Sequence, residues 1–84
     1  MYRKIEGNLR MPLSEVRRKY IDEFVLVRED PGRFRDPMCT VLYVGDNDNE
    51  VSNLRYELEN YENCVVIECL NPNRIYLDGV VVGA

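Results

Sequence analysis

Histidine and tryptophan are absent from this chain of 84 residues. Without imidazole there is no Ser-His-Asp or Cys-His catalysis, no histidine acid–base chemistry and no metal site that needs a histidine ligand. Glycine is sparse and dispersed, at positions 7, 32, 45, 79 and 83, so neither a GxGxxG nor a P-loop spacing forms and nucleotide binding has no support. The three cysteines are an odd number, which favours reduced thiols over a disulfide framework. No long apolar run occurs. The start, Met1-Tyr2-Arg3-Lys4-Ile5-Glu6-Gly7, sets no hydrophobic stretch behind its basic residues, so neither a signal peptide nor a membrane span is expected. These absences favour a cytoplasmic, non-enzymatic protein with no cofactor and no membrane partner.

What is present is enough for one core. A hydrophobic fraction of 45% beside a charged fraction of 31% belongs to globular chains, not to the disordered class, and the length fits a single domain over residues 1–84. The net charge of −4 is unevenly spread. Residues 1–35 hold nine Lys/Arg and six acids, a balance of +3, whereas residues 36–84 hold two Arg and nine acids, a balance of −7. Such asymmetry sets up a bipolar surface for partner or self recognition unless folding mixes the halves.

Residues 1–12 show no clear period and contain Gly7, Asn8 and Pro12, the pattern of an arm that packs loosely or adds one short strand. Leu13, Val16, Tyr20 and Phe24 then recur at helical spacing, with Ser14 placed as an N-cap, so a short helix is expected over 14–21. Phe24-Val25-Leu26-Val27 reads as a buried strand ended by the turn Asp30-Pro31-Gly32. Cys39 to Val44 reads as a second, inside the sheet because neither parity is polar. Asn47 or Asp48 can cap the best helix, expected over 48–61, whose stripe is Val51, Leu54, Leu58 and Tyr61. Cys64 to Leu70 returns to strand pattern. After the turn Asn71-Pro72-Asn73, a last strand spans Arg74 to Val82, with a hairpin as an alternative at Asp78-Gly79.

The turn Asp30-Pro31-Gly32-Arg33-Phe34 is echoed by Asn71-Pro72-Asn73-Arg74-Ile75. Either two helix-strand-strand units are duplicated, or shared turn chemistry produces the likeness.

The expected fold is α+β: a four-stranded, mainly antiparallel sheet with two helices, in the order α-β-β-α-β-β. A crossover from Val44 through the second helix to Cys64 would make those strands parallel and the sheet mixed.

Chemical signatures are weak. Cys64 and Cys69 are five apart, so on one strand they face opposite ways and cannot bind one ion. Asp46, Asp48, Glu50 and Glu57 match calcium-loop places one, three, five and twelve, but Val51 stands where the sharp turn needs glycine. Helix capping explains these acids better. Glu68 is the one acid in an apolar context, and an outer sheet face is the plainer reading.

Two readings of function remain. If both helices cover one sheet face, the other carries Leu26 or Val25, one parity of Val41 to Val44, Val66 and Tyr76. The N-terminal arm, a second subunit or a protein partner would then have to cover that area, which makes a protein-interaction module, as a homo-oligomer, the leading expectation. Tyr56, off the apolar stripe of its helix, joins Tyr76 as a contact candidate. The alternative is a nucleic-acid binder that uses Arg17, Arg18 and Lys19 of the first helix and the loop Arg33-Phe34-Arg35, with phosphates on the guanidinium groups and a base on the ring.

Overall fold

The computed structural model describes residues 1–72 in full and the backbone of residues 75–77 and 80–82. It has an antiparallel sheet of five strands with two helices, in the α+β class. The elements are β1 (Tyr2–Lys4), β2 (Arg10–Pro12), α1 (Leu13–Lys19), β3 (Phe24–Glu29), β4 (Met38–Gly45) and α2 (Asp48–Arg55). A 3₁₀ turn at Tyr61–Asn63 leads into β5 (Cys64–Glu68), and β6 (Ile75–Leu77) pairs with β7 (Val80–Val82) in a separate two-stranded sheet. The residues Asp78 and Gly79, where a hairpin turn was expected, lie outside the described residues.

The main sheet runs β1-β4-β3-β5, and β2 lies beside β1 along the same edge of β4. The N-terminal arm is therefore one interrupted edge strand. Ile5 donates its N–H to Leu42 O at 2.9 Å and Leu9 O accepts from Val41 N–H at 2.9 Å, while Gly7 and Asn8 turn the excursion between them with φ of 86° and 53°. Strands β4 and β5 are both antiparallel to β3 and so run the same way. They are separated by β3 and do not pair, so the crossover through α2 leaves the sheet antiparallel and not mixed.

A β-bulge explains why β4 shows no clean alternation. Leu26 pairs with Tyr43 but Val27 pairs with Val41, which leaves Leu42 as the extra residue. Val41 and Val44 consequently share one face, and Leu42 and Tyr43 share the other.

The two helices lie on opposite faces, and this corrects the expected exposed sheet face. On one side Val16 of α1 and its C-cap Tyr20 pack with Val25, Val27, Cys39, Val41, Val44 and Cys69, helped by Met11, Ile5 and Leu9 of the arm. On the other side Val51 and Leu54 of α2 pack with Leu26 and Cys64, flanked by Phe24, Tyr43, Leu58 and Val66. Val25 and Leu26, adjacent in sequence and opposite in direction, are both fully buried. The apolar character of both strand parities is thus met within the chain.

Both helices differ from their expected bounds. α1 begins at Leu13, with Pro12 in the N-cap position and no side-chain cap. Ser14 lies inside the first turn and does not cap it. Phe24 leaves the helical stripe for the opposite face of the sheet. α2 starts as expected, with the Asn47 side chain accepting from Glu50 N–H at 3.1 Å, but stops at Arg55. Glu57 and Leu58 N–H bond three residues back, at 3.2 Å each, and Asn60 turns left-handed at φ 55°. Glu57, Glu59 and Glu62 crowd the end where the helix dipole disfavours negative charge.

The turn echo does not extend to pairing. β3 pairs with β4 directly, whereas β5 pairs with β3, and β6 pairs with β7. No helix among the described residues is long and apolar enough to cross a membrane.

Candidate functional site

The loop between β3 and β4 is clasped onto α1 by a residue pair distant in sequence. Asp36 accepts the Ser14 N–H at 2.8 Å and the Ser14 hydroxyl at 2.6 Å, and Leu13 donates its N–H to Pro37 O at 2.9 Å. Orphan donors of the first helical turn are thereby satisfied from outside the helix. This clasp brings Arg17 and Arg35 to one open concavity of about 360 Å³, which they line with Leu13, Ser14 and Asp36. Arg18, Lys19 and Arg33 are exposed nearby in sequence, and Arg17 and Arg18 act on the Asp36 carboxylate at its rim.

Phe34 does not anchor the loop to the core. It is 65% exposed, and its ring lies against Gly32, where a Cβ would approach ring carbon Cε2 to 2.5 Å. Gly32 has φ 125°, which strains any L side chain there, whereas the exposed Phe34 ring is free to swing aside. Tyr20 lies on the buried stripe of α1, with its hydroxyl pushed up by burial.

The Asp36 carboxyl is held below the usual carboxylate range, first by the Ser14 hydroxyl, then by the Ser14 N–H, with Arg18 and Arg17 adding to it. A depressed folded-state pKa gives stabilisation that is present above the ordinary carboxylate pKa and lost as pH falls through the lower folded value. Wild type is accordingly more stable than Asp36→Ala at neutral pH, and the gap closes in acid. Urea titrations of both proteins across pH check this, and a gap that stays constant into strong acid contradicts it.

A second cluster stands at the end of α2. Tyr56 and Tyr61 have ring centroids 5.7 Å apart, and the Arg55 guanidinium sits 6.0 Å from one ring centre and 5.6 Å from the other. Arg55 Nε–H donates to Tyr61 O at 3.1 Å, which holds the guanidinium beside both rings. Tyr56 is 68% exposed and Tyr61 40%. Of the sequence candidates, Tyr56 thus gains two partners that the pattern did not show, Arg55 and Tyr61. The side chain of Tyr76 lies outside the described residues.

The charge halves are partly mixed by folding. Arg3 pairs with Glu23 at 3.1 Å and Arg10 pairs with Asp30, both within the basic half. Asp36 of the acidic half sits beside Arg17 and Arg35.

All three cysteines are free and buried. Cys64 and Cys69 join opposite cores, as their spacing requires, and Cys39 shares the core of Cys69. Burial pushes the Cys39 and Cys69 thiols up to about 11, so at neutral pH they are protonated and poor nucleophiles. Among the described residues no group of three or more Cys, Asp or Glu is arranged to hold a metal ion. The chain matches no protein-family model, no curated protein and no solved structure.

Proposed function

We propose that the chain is a non-enzymatic protein-interaction module, and the observation that carries this is the preformed Tyr56–Arg55–Tyr61 cluster. Tyrosine and arginine are, with tryptophan, enriched among the side chains that dominate binding energy at interfaces, and tyrosine buries much area with few rotors. Here the rings and the guanidinium already lie in contact range of one another, and contacts made before binding lower the cost of ordering the side chains on binding. Neither hydrophobic core uses Tyr56 or Tyr61. Glu57, Glu59 and Glu62, all exposed, lie next to the cluster in sequence, so a complementary surface with an apolar anchor and a basic rim suits it. Affinity capture from the source cells tests this with wild type and Tyr56→Ser/Tyr61→Ser side by side. A protein retained by wild type and lost by the variant is the expected result; identical recovery by both contradicts the reading.

One observation favours a second reading, nucleic-acid binding. Arg17 and Arg35 converge on one concavity, and the neighbouring Phe34 ring is exposed, a combination that suits phosphates and a stacked base. Asp36 within the same concavity and the acidic balance of the chain oppose it. Retention of RNA or DNA at low salt that is lost in Arg17→Glu/Arg35→Glu would establish it, and no retention at low salt removes it.

A further inference from the structure

Among the described residues the outer edge of β5 carries few of the devices that blunt a sheet edge. Cys64-Val65-Val66-Ile67-Glu68 contains no proline, no lysine and one charge at its end, and among the described residues no strand pairs with its outer side. Which backbone groups face outward follows from the ladder. Cys69 donates its N–H to Glu23 O at 3.0 Å, and on the far side of β3 Asp30 N–H bonds Met38 O at 2.9 Å. Antiparallel alternation then turns Val65 and Ile67 toward β3, and turns the N–H and C=O of Cys64, Val66 and Glu68 outward.

We propose that this edge pairs with the same edge of a second copy, antiparallel and centred on Val66, so that the two sheets become one. This deepens the interaction-module reading, on which it rests, by naming one partner. The two-fold register is self-complementary. It sets Val66 against Val66 of the other copy on the α2 face and Val65 against Ile67 on the α1 face, apolar pairs on both sides of the new sheet. Glu68, the only charge of the strand, faces the small Cys64 of the other copy and not its own counterpart.

The same register brings a carboxylate toward the Arg28 side chain. Cys64 is paired with Arg28 of β3, so the row across the new sheet reads Arg28, Cys64 and then Glu68 of the second copy, all on the α2 face. Arg28 Nε is buried with no hydrogen-bond partner, and Nη2 reaches only Glu59 O at 3.3 Å. With strands about 4.8 Å apart, the incoming carboxylate falls within the combined reach of two long side chains across Cys64. A two-fold axis normal to the sheet also places both copies of α2 on the same face of the combined sheet.

A five-residue edge is a small interface, so the dissociation constant is on the order of 10–100 µM. Sedimentation velocity on the purified chain, from well below to well above that range, is the test. Wild type shifts from monomer to dimer. Val66→Pro, which deletes an outward N–H at an edge position where proline is tolerated, stays monomeric throughout, with its circular dichroism confirming the fold. Glu68→Lys, a change at an exposed position, weakens the dimer by at least about fivefold through repulsion from Arg28. A wild type that remains monomeric, or wild-type dimerisation in both variants, overturns the proposal. A monomeric wild type whose captured partner still depends on Tyr56 and Tyr61 overturns the edge alone and leaves the module standing.

Discussion

Leu26→Ala lowers the unfolding free energy by about 3–4 kcal/mol, and Val25→Ala by about 2–3 kcal/mol, in separate urea titrations followed by circular dichroism. Both side chains are fully buried, but in different cores. Leu26 packs with Val51, Leu54 and Cys64 beneath α2, and Val25 packs with Val16 and Tyr20 beneath α1. Each deletion leaves a cavity that the surrounding strands close only in part. Against a total of about 5–10 kcal/mol for a domain of this size, Leu26→Ala is close to the limit of folding. The pair matters more than either member, because a sheet with one open face would show a large loss on one side only. A change within about 0.5 kcal/mol of wild type at either position would mean that its face is uncovered.

Gly45→Ala costs about 1–3 kcal/mol, although it adds a single methyl group. Gly45 ends β4 where the strand passes under α2 and beside β1. A Cβ there would lie 2.7 Å from Val51 Cγ2, 3.1 Å from Tyr2 Cβ and 3.2 Å from Met1 O. Only the first contact is with a side-chain end, and Val51 is itself fully buried, so the methyl group can be seated only by moving the helix or the edge strand. Shortening Val51 to alanine removes the tightest contact. The double variant Gly45→Ala/Val51→Ala therefore loses less than the sum of its two single losses. Thermal melts of the three proteins measure this, and a neutral Gly45→Ala contradicts the close approach of α2 to β4.

Strands were the most legible part of the fold. β3, β4 and β5 appear as dense runs of Val, Ile, Leu, Cys and Tyr bounded by turn residues, and the start of α2 was marked by the Asn47 cap. What sequence patterns do not carry is which side of the sheet a helix takes. The two-sided apolar strands were legible; that α1 and α2 would divide the two faces between them was not, because nothing local distinguishes a sandwich from a sheet with one open face. The bulge at Leu42 was equally hidden, since it depends on the register of β3 against β4.

The candidate site was legible as residue types and not as neighbours. Arg17 and Arg35 stood out as cations, but their meeting depends on Ser14 and Asp36, which are joined across 22 residues by tertiary contact. The Tyr56–Tyr61 pair was masked by the expected length of α2. On a continuous helix, residues five apart lie on well-separated sides, so only the early stop at Arg55 lets Tyr61 fold back beside Tyr56 and Arg55. The acids at 57, 59 and 62 were visible in the sequence and carried the signal for that stop.

Both sheet faces are closed within the chain, and the proposed partners meet the molecule at its β5 edge and at the end of α2. An amide-resolved NMR dilution series from about 1 mM to about 10 µM, spanning the expected self-affinity, tests this most directly. The prediction is that the amides of Cys64, Val66 and Glu68 move with concentration while those of Val16, Val25 and Val27 stay fixed. Amides that do not move anywhere, or movement centred on α1 and the β3–β4 loop, would contradict it.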